Sequence, residues 1–168
     1  MATLKELSIA LGLLTSDSNP SAIVDGWANY VWRARDVRGC LSQAQGFCNI
    51  VHDRWDWKRK QTYDAAFKID TQTNTITTRI TLNNEDPDDN DQVCIVVSYL
   101  DADDELIGIY FANWRSLPKR SYSREAPISP SKPINAITKV LVGSKQCDVR
   151  ATEDTRNFYR IRQILKQR

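Results

Sequence analysis

The middle of the chain is dominated by short segments rich in β-branched and aromatic residues, and this pattern restricts the fold more than any other feature. Thr75 to Leu82 alternates Ile and Leu with Thr and Arg, as in a strand with one buried and one solvated face. Three similar segments are separated from it and from each other by polar turns: Ala66 to Ile69, Gln92 to Leu100 and Leu106 to Trp114. Gln92 to Leu100 is apolar on both faces, which is typical of a central strand. Together the segments predict an antiparallel sheet.

The segments on either side predict helices near both ends of the chain. Leucines at spacings of three and four in residues 1–15 favour a short amphipathic helix. The same spacing favours a second helix from Leu41 to Trp55, whereas Ile23 to Arg35 fits a helix and a strand equally well. A third helix is predicted for Arg156 to Arg168, where apolar residues share one face, although a strand there is an alternative.

Residues 116–133 hold four of the six prolines and predict an extended arm or a long surface loop, followed by a fifth strand from Ala136 to Val142. The predicted fold class is therefore mainly β, or α+β: an antiparallel β-sandwich or jelly-roll-like sheet with short helical segments near the N- and C-termini. The length of 168 residues fits one domain. It would comprise a partly helical region (1–60), a β core (62–142) and a basic terminal helix (156–168).

Charged residues are sorted along the sequence, although the formal net charge is only +2. Residues 1–60 carry +2, residues 61–114 carry −9 and residues 115–168 carry +9. Segregation on this scale predicts a molecule with opposed poles, which can pair within one chain, associate with copies of itself or hold a polyanion.

Strand direction predicts where the charged loops lie. If the four middle strands run as an antiparallel meander, the loop before Gln92 and the loop after Trp114 lie at the same end of the sheet. Acidic and basic groups would then meet there, within one chain or across a contact between copies. The acidic assembly surface would comprise Glu85, Asp86, Asp88, Asp89 and Asp91. The basic assembly surface would comprise Arg115, Lys119, Arg120 and Arg124.

The basic C-terminal third offers a second charged surface. A basic helix face can neutralise phosphates without reading a base sequence, which makes nucleic acid an alternative partner. The candidates for polyanion binding are Arg156, Arg160, Arg162, Lys166 and Arg168. The sequence shows no zinc-finger spacing, Gly-rich phosphate loop or RNP-type aromatic motif.

Five tryptophans are many for this length, and four of them lie among arginines and lysines between residues 27 and 57. Flat aromatic rings beside guanidinium groups can stack on sugars, which makes a glycan a further alternative partner. The candidates for ligand stacking are Trp27, Trp32, Trp55 and Trp57. The competing interpretation is that these residues anchor the core.

Asp86 to Asp91 begins like a calcium loop, with oxygens offered by Asp86, Asp88 and Asn90. The sixth position is Asp91 rather than Gly and the twelfth is Val97 rather than Glu, so the segment is not an EF-hand. Beyond this Ca²⁺ candidate, the sequence predicts no cofactor and no metal site.

The four cysteines lack the density and spacing of a secreted disulfide scaffold, which favours reduced thiols. Cys94 lies in an apolar run typical of the core. On a helix, Cys48 and His52 would share a face as half of a zinc site, with no partner motif to complete it. The apolar stretch Leu7 to Leu14 is too short to span a membrane and is not a convincing signal peptide, so the expected location is the cytoplasm or a virion or other particle.

His52 is the sole histidine, so a Ser-His-Asp or Cys-His site would have to include it. Because no nucleophile elbow, metalloprotease helix or P-loop occurs, an enzyme is not expected. The sequence instead predicts a non-enzymatic structural protein that self-associates through segregated acidic and basic surfaces, such as a virion or capsid component. The alternatives are a lectin-like β-sandwich that uses exposed Trp and a nucleic-acid-binding protein that uses the basic third.

Overall fold

The computed structural model describes residues 27, 29–41, 46–56 and 60–167. In this part of the chain, two four-stranded antiparallel sheets face each other, so the predicted mainly β class is confirmed. Sheet A has the order β1-β8-β5-β6, and sheet B has the order β2-β3-β4-β7. The strands are β1 (Val31–Asp36), β2 (Cys48–Asp56), β3 (Gln61–Asp70), β4 (Thr75–Asn84), β5 (Asp91–Leu100), β6 (Leu106–Ser116), β7 (Arg120–Ile128) and β8 (Lys139–Gln146). The helices are α1 (Arg38–Leu41), α2 (Thr152–Lys166) and a 3₁₀ turn (Ile134–Ala136).

The core lies between the two sheets. β4 buries every second residue, as its alternation predicts, and β5 is buried almost throughout, as expected of a central strand. Phe67 from sheet B packs against Tyr99 from sheet A with ring centroids 5.5 Å apart. Thr78 is a polar residue in the middle of the buried face of β4. Its hydroxyl is hydrogen-bonded to the Tyr99 hydroxyl at 2.7 Å, which satisfies both groups and joins the sheets.

The outer face of sheet A is covered by α2. Phe158 stacks on Phe111 of β6 with centroids 5.6 Å apart, and buried Trp27 and Tyr30 complete this second cluster. The Tyr30 hydroxyl donates to Asp154 Oδ1 at 2.7 Å, so a buried carboxylate of α2 is satisfied by a residue that precedes β1. A helix near the C-terminus is therefore confirmed, although Arg168 lies outside the described residues. None of the described helices has the length and apolar character needed to cross a membrane.

The helix predicted from Leu41 to Trp55 is wrong over most of its length, because Cys48–Asp56 forms β2. β2 pairs with β3 and is interrupted by register shifts between Asn49 and Val51 and between Arg54 and Asp56. Each irregularity moves the following residues to the other face of the strand. The first irregularity consequently places partly buried Cys48 and Val51 three residues apart, and ordinary alternation places Trp55 four residues further on. Together these spacings imitate a helical period.

The arm predicted for residues 116–133 is also wrong in its central part, because β7 (Arg120–Ile128) pairs with β4. Pro127 is tolerated there because β7 is the edge strand of sheet B, and edge strands are where sheets accept proline. The predicted fifth strand begins later, at Lys139, after the 3₁₀ turn.

The four middle strands do not form one meander. They form two hairpins, β3-β4 in sheet B and β5-β6 in sheet A, whose turns lie where the sequence predicts them. The described part of Ile23 to Arg35 contributes β1, and the helix predicted for residues 1–15 lies outside the described residues.

All four cysteines are paired, which corrects the expectation of reduced thiols. Cys40–Cys48 joins α1 to β2, and Cys94–Cys147 joins β5 to the segment after β8. Cys94 is fully buried, as predicted, and Cys48 cannot serve as a zinc ligand while it is bonded to Cys40. Among the described residues, no group of three or more His, Cys, Asp or Glu side chains could hold a metal ion.

The two disulfides should stabilise the fold unequally. They close segments of 53 and 8 residues, for which chain entropy gives about 4 and about 2.5 kcal/mol respectively. We expect C94A/C147A to lower the free energy of unfolding more than C40A/C48A, as measured by urea denaturation. An equal loss for the two double variants would contradict this account.

Candidate functional site

The acidic loop, Glu85 to Asn90, lies beside the turn that joins β6 to β7. The Lys119 backbone N–H donates to the Asp86 carbonyl at 3.1 Å, and Arg115 Nη2 donates to Asn90 Oδ1 at 3.2 Å. The two predicted charged loops therefore meet at one end of the sandwich, here called the acidic end. They meet within one chain, because the loop crosses from sheet B to sheet A and the turn crosses back.

Two of the three side chains proposed for calcium, Asp86 and Asn90, accept hydrogen bonds within the chain. Asp86 Oδ1 accepts the backbone N–H groups of Asp88 at 2.9 Å and Asp89 at 2.8 Å, while Asn90 Oδ1 accepts from Arg115. Asp91 is only 3% exposed and accepts a hydrogen bond from Gln146, so it is not part of the acidic surface.

The basic residues of the predicted assembly surface separate into two groups. Arg115, Lys119 and Arg120 are exposed at the acidic end. Arg124 instead stacks 4.7 Å from the centre of the Trp114 ring and donates to the Asn113 carbonyl at 3.2 Å. Arg124 is also exposed, and these contacts join β7 to β6.

The outward face of α2 is basic, as predicted. Four cations there are exposed: Arg156, Arg160, Arg162 and Lys166. α2 passes over Phe111 at Phe158 and reaches Gly108 with Arg162, Leu165 and Lys166, so it runs toward the start of β6. The C-terminal part of α2 therefore lies toward the end opposite the acidic end.

Carboxylates at that opposite end have their own cations. Lys132 Nζ donates to Asp101 Oδ2 at 2.5 Å and to Glu105 Oε2 at 2.7 Å, and Lys139 Nζ donates to Asp104 Oδ1 at 2.5 Å. Burial acts to raise the pKa of Asp101, but bonds from Lys132 and from the Glu105 and Asp103 amides outweigh it and lower that pKa. The same Asp101 and Glu105 contacts raise the pKa of Lys132.

The tryptophans do not form a stacking surface in the described chain. Trp27 is 1% exposed and belongs to the core cluster under α2, so its assignment to ligand stacking is wrong. Trp32 is half-buried against Gly143, where a Cβ would lie 2.9 Å from its ring. Trp55 is half-buried and packs on the main core, and Trp57 lies outside the described residues.

A polar cleft on the outer face of sheet B is the feature that the sequence did not reveal. Four side chains stand opposite one another across its four strands: His52, Asp64, Thr81 and Ser123. His52 Nδ1 lies 2.7 Å from Asp64 Oδ1, and the Thr81 and Ser123 hydroxyls are 3.1 Å apart. Among the described residues, Asp64 is the one hydrogen-bond partner of His52, so no serine completes a catalytic triad there.

Arg35 and Arg79 line the same cleft on one side of this row, and the cleft has a volume of about 530 Å³. Arg35 Nη1 donates to the Asn49 and Ile50 carbonyls at 2.7 and 3.1 Å, where the β2 bulge presents them. The Arg79 guanidinium stacks 3.8 Å from the centre of the Phe47 ring. The polar outward residues of β4 are visible in the sequence as the solvated half of its alternation. Which residues of the other strands stand beside them depends on strand pairing between residues distant in sequence.

No family model and no curated protein matches the chain. Among solved structures it is similar to a DUF1425 family member from Shewanella sp. pv-4, with 10% identity, a TM-score of 0.37, and coverage of 61% of this chain and 91% of that chain. It is also similar to the Salmonella enterica trimeric lipoprotein SadB, with 12% identity, a TM-score of 0.40, and coverage of 84% and 68%. A further similar structure is the enzymatically active domain of bacteriophage CBA120 tailspike protein 4, with 6% identity, a TM-score of 0.25, and coverage of 78% of this chain and 19% of that chain. At TM-scores below 0.5 these similarities imply no shared function.

The Asp101 contacts predict a pH-dependent effect on stability. Because Asp101 is buried and its folded-state pKa is lowered, its contribution is present above the unfolded pKa and is lost as the pH falls through the folded pKa. We expect D101A to lower the free energy of unfolding by about 2 kcal/mol at pH 7, with the difference shrinking below about pH 4. Urea denaturation at several pH values measures it.

The control is D103A, which removes an exposed carboxylate from the same turn and should change stability by less than about 0.5 kcal/mol. Equal losses for the two variants, or a D101A effect that does not change with pH, would show that the ionised Asp101 is not the stabilising group.

Proposed function

We propose that the protein is a non-enzymatic structural component that associates end to end, with the acidic end of one copy on the basic C-terminal part of α2 of the next. The observation that supports this most is the position of charges that lack ion pairs within the described chain. Exposed Glu85 and Asp88 lie at the acidic end, whereas exposed Arg162 and Lys166 lie on α2 toward the opposite end. The acidic end also carries exposed cations, namely Arg115, Lys119 and Arg120. One chain cannot bring Glu85 and Asp88 to the α2 cations, and a neighbouring copy can.

Exposed apolar side chains accompany both charged sets. Leu117 lies in the turn beside the acidic loop, and Tyr159 and Ile164 lie on α2; all three are more than a third exposed. An exposed ion pair contributes only about 0 to 1 kcal/mol, so charges would chiefly set orientation while the apolar contacts supply affinity. A contact between different surfaces on two copies is heterologous, and it produces rings or filaments.

Two disulfides support a location in an oxidising environment, because glutathione and thioredoxin keep cytosolic thiols reduced. The proposal therefore places the assembly outside the reducing cytosol, on a particle or cell surface, instead of in the cytoplasm that the sequence suggested. Alkylation of the native protein without a reductant should label no cysteine. Full labelling of protein isolated from its source would contradict this location.

End-to-end association predicts that charge reversal on either surface disrupts it and that the two reversals together restore it. R162E/K166E and E85K/D88K should each raise the dissociation constant, Kd, of the contact between copies at least about tenfold, because two favourable pairs become repulsive. Combining all four substitutions should return Kd toward the original value. Light scattering after size exclusion, at low and high salt, measures the molar mass.

The matched control is R54E/K68E, which changes the net charge equally but lies on the outer face of sheet B. This variant should keep the original oligomers. A monomer at both salt concentrations, or a control that dissociates as readily as the α2 variant, would refute end-to-end association.

A second function is favoured by the arrangement of cations along α2. Arg156 and Arg160 are four residues apart, as are Arg162 and Lys166, so the exposed cations line one broad face of the helix. Such a face can hold a polyanion such as nucleic acid, with affinity that falls steeply as salt rises. Excess absorbance at 260 nm on the size-exclusion peak, lost in R162E/K166E, would favour this function over self-association.

A further inference from the structure

We propose that the cleft on the outer face of sheet B binds a saccharide that carries a carboxylate group. This site lies away from α2 and the acidic end, and it contains none of the tryptophans. Its residues come from β1 and from all four strands of sheet B, so it forms only when the sandwich is complete. Small-ligand sites commonly enclose about 300 to 1,000 Å³, and this cleft, at about 530 Å³, falls within that range.

Two fixed guanidinium groups make the cleft suited to a carboxylate. Arg35 is held by the Asn49 and Ile50 carbonyls through Nη1, and Arg79 is held against the Phe47 ring. The pairing of Arg79 with Glu125 is long, at 3.8 Å, and both side chains are substantially exposed. A guanidinium binds a carboxylate through two parallel N–H bonds, and a side chain already held in place loses less entropy when it does so.

The row of polar side chains beside the arginines is suited to hydroxyl groups. Asp64 offers carboxylate acceptors, and the Thr81 and Ser123 hydroxyls can each donate and accept. The floor is small and apolar at Ala66, which is 4% exposed and lets a ring approach the sheet closely. Neighbouring strands are about 4.8 Å apart, so the row of four side chains spans about 14 Å. That length exceeds a single small anion and fits a short run of sugar units.

The composition of the walls argues against other anionic ligands. No Phe, Tyr or Trp lines the described cleft, so a nucleotide base would have no aromatic ring on which to stack. A phosphate ion could contact an arginine, but it would leave the row from Asp64 to Ser123 unused. A saccharide acid uses both the cations and the hydroxyl-binding row.

Isothermal titration and amide chemical-shift mapping with three probes test this proposal: an oligogalacturonate, the neutral galactose oligomer of the same length, and inorganic phosphate. The oligogalacturonate should bind with shifts centred on β3, β4 and β7. The neutral oligomer should bind at least about tenfold more weakly, because it lacks the charged hydrogen bonds to arginine. Phosphate should not displace the oligogalacturonate at equal concentration.

Two pairs of variants separate the cleft from general charge. R79Q should weaken oligogalacturonate binding at least about tenfold, while R156Q, which removes the same charge from α2, should change it less than about twofold. T81V should weaken binding about threefold or more. Its match is T77V, on the same face of the same strand but outside the cleft, and this variant should have little effect.

Three results would overturn the proposal. These are the absence of binding up to about 10 mM oligogalacturonate, equal affinity for the neutral oligomer, and equal weakening by R79Q and R156Q. Full displacement by equimolar phosphate would identify a simple anion site instead. None of these results depends on the oligomeric state, so the proposal can fail while end-to-end association stands, and the reverse.

Discussion

Apolar contact between the inward faces of the two sheets is the interaction on which the rest of the structure depends. Burial of one large aliphatic or aromatic side chain contributes about 1.5 to 3 kcal/mol, and both sheets supply many to a shared core. Arginines then close both open edges of the sandwich. Arg33 Nε lies 2.7 Å from Asp53 Oδ2 between β1 and β2, and Arg124 covers Trp114 between β6 and β7. Because the inner faces pack against each other, a partner can contact only the outer faces and the ends of the sandwich. α2 already covers the outer face of sheet A.

The sequence predicted the strands whose period is uninterrupted and failed where the period is broken. β4, β5 and β6 lie close to their predicted bounds, because alternation or continuous burial identifies a strand without knowledge of its neighbours. The sequence predicts a helix in place of β2 because a register shift in the strand sets buried residues three apart beside an ordinary spacing of four. The sequence predicts an arm in place of β7 because a proline that disrupts a central strand is tolerated at a sheet edge. Whether a strand is bulged or at an edge depends on its partners, which local sequence does not specify.

The same distinction applies to the sites. The meeting of the acidic loop with the turn after β6 follows from strand direction, so it was predictable even though the meander was wrong. The cleft depends on register: His52 and Asp64 are twelve residues apart and face each other only because β2 and β3 pair as they do. The pairing of Cys94 with Cys147 likewise requires β5 and β8 to be neighbours. The strand pairing on which each arrangement depends leaves no local signal in the sequence.

The two proposed surfaces are compatible because they lie in different directions on the sandwich. The acidic end and the C-terminal part of α2 are separated along the strands, whereas the cleft opens on the outer face of sheet B. Copies that associate end to end would therefore leave each cleft uncovered and would repeat it along the assembly. A polymeric saccharide acid could then occupy several clefts at once, and after the first contact each further one is made at a raised effective concentration. Weak affinity at a single open cleft would thus be sufficient for firm attachment of the assembly, which explains how an exposed, polar site of this kind could serve a structural protein.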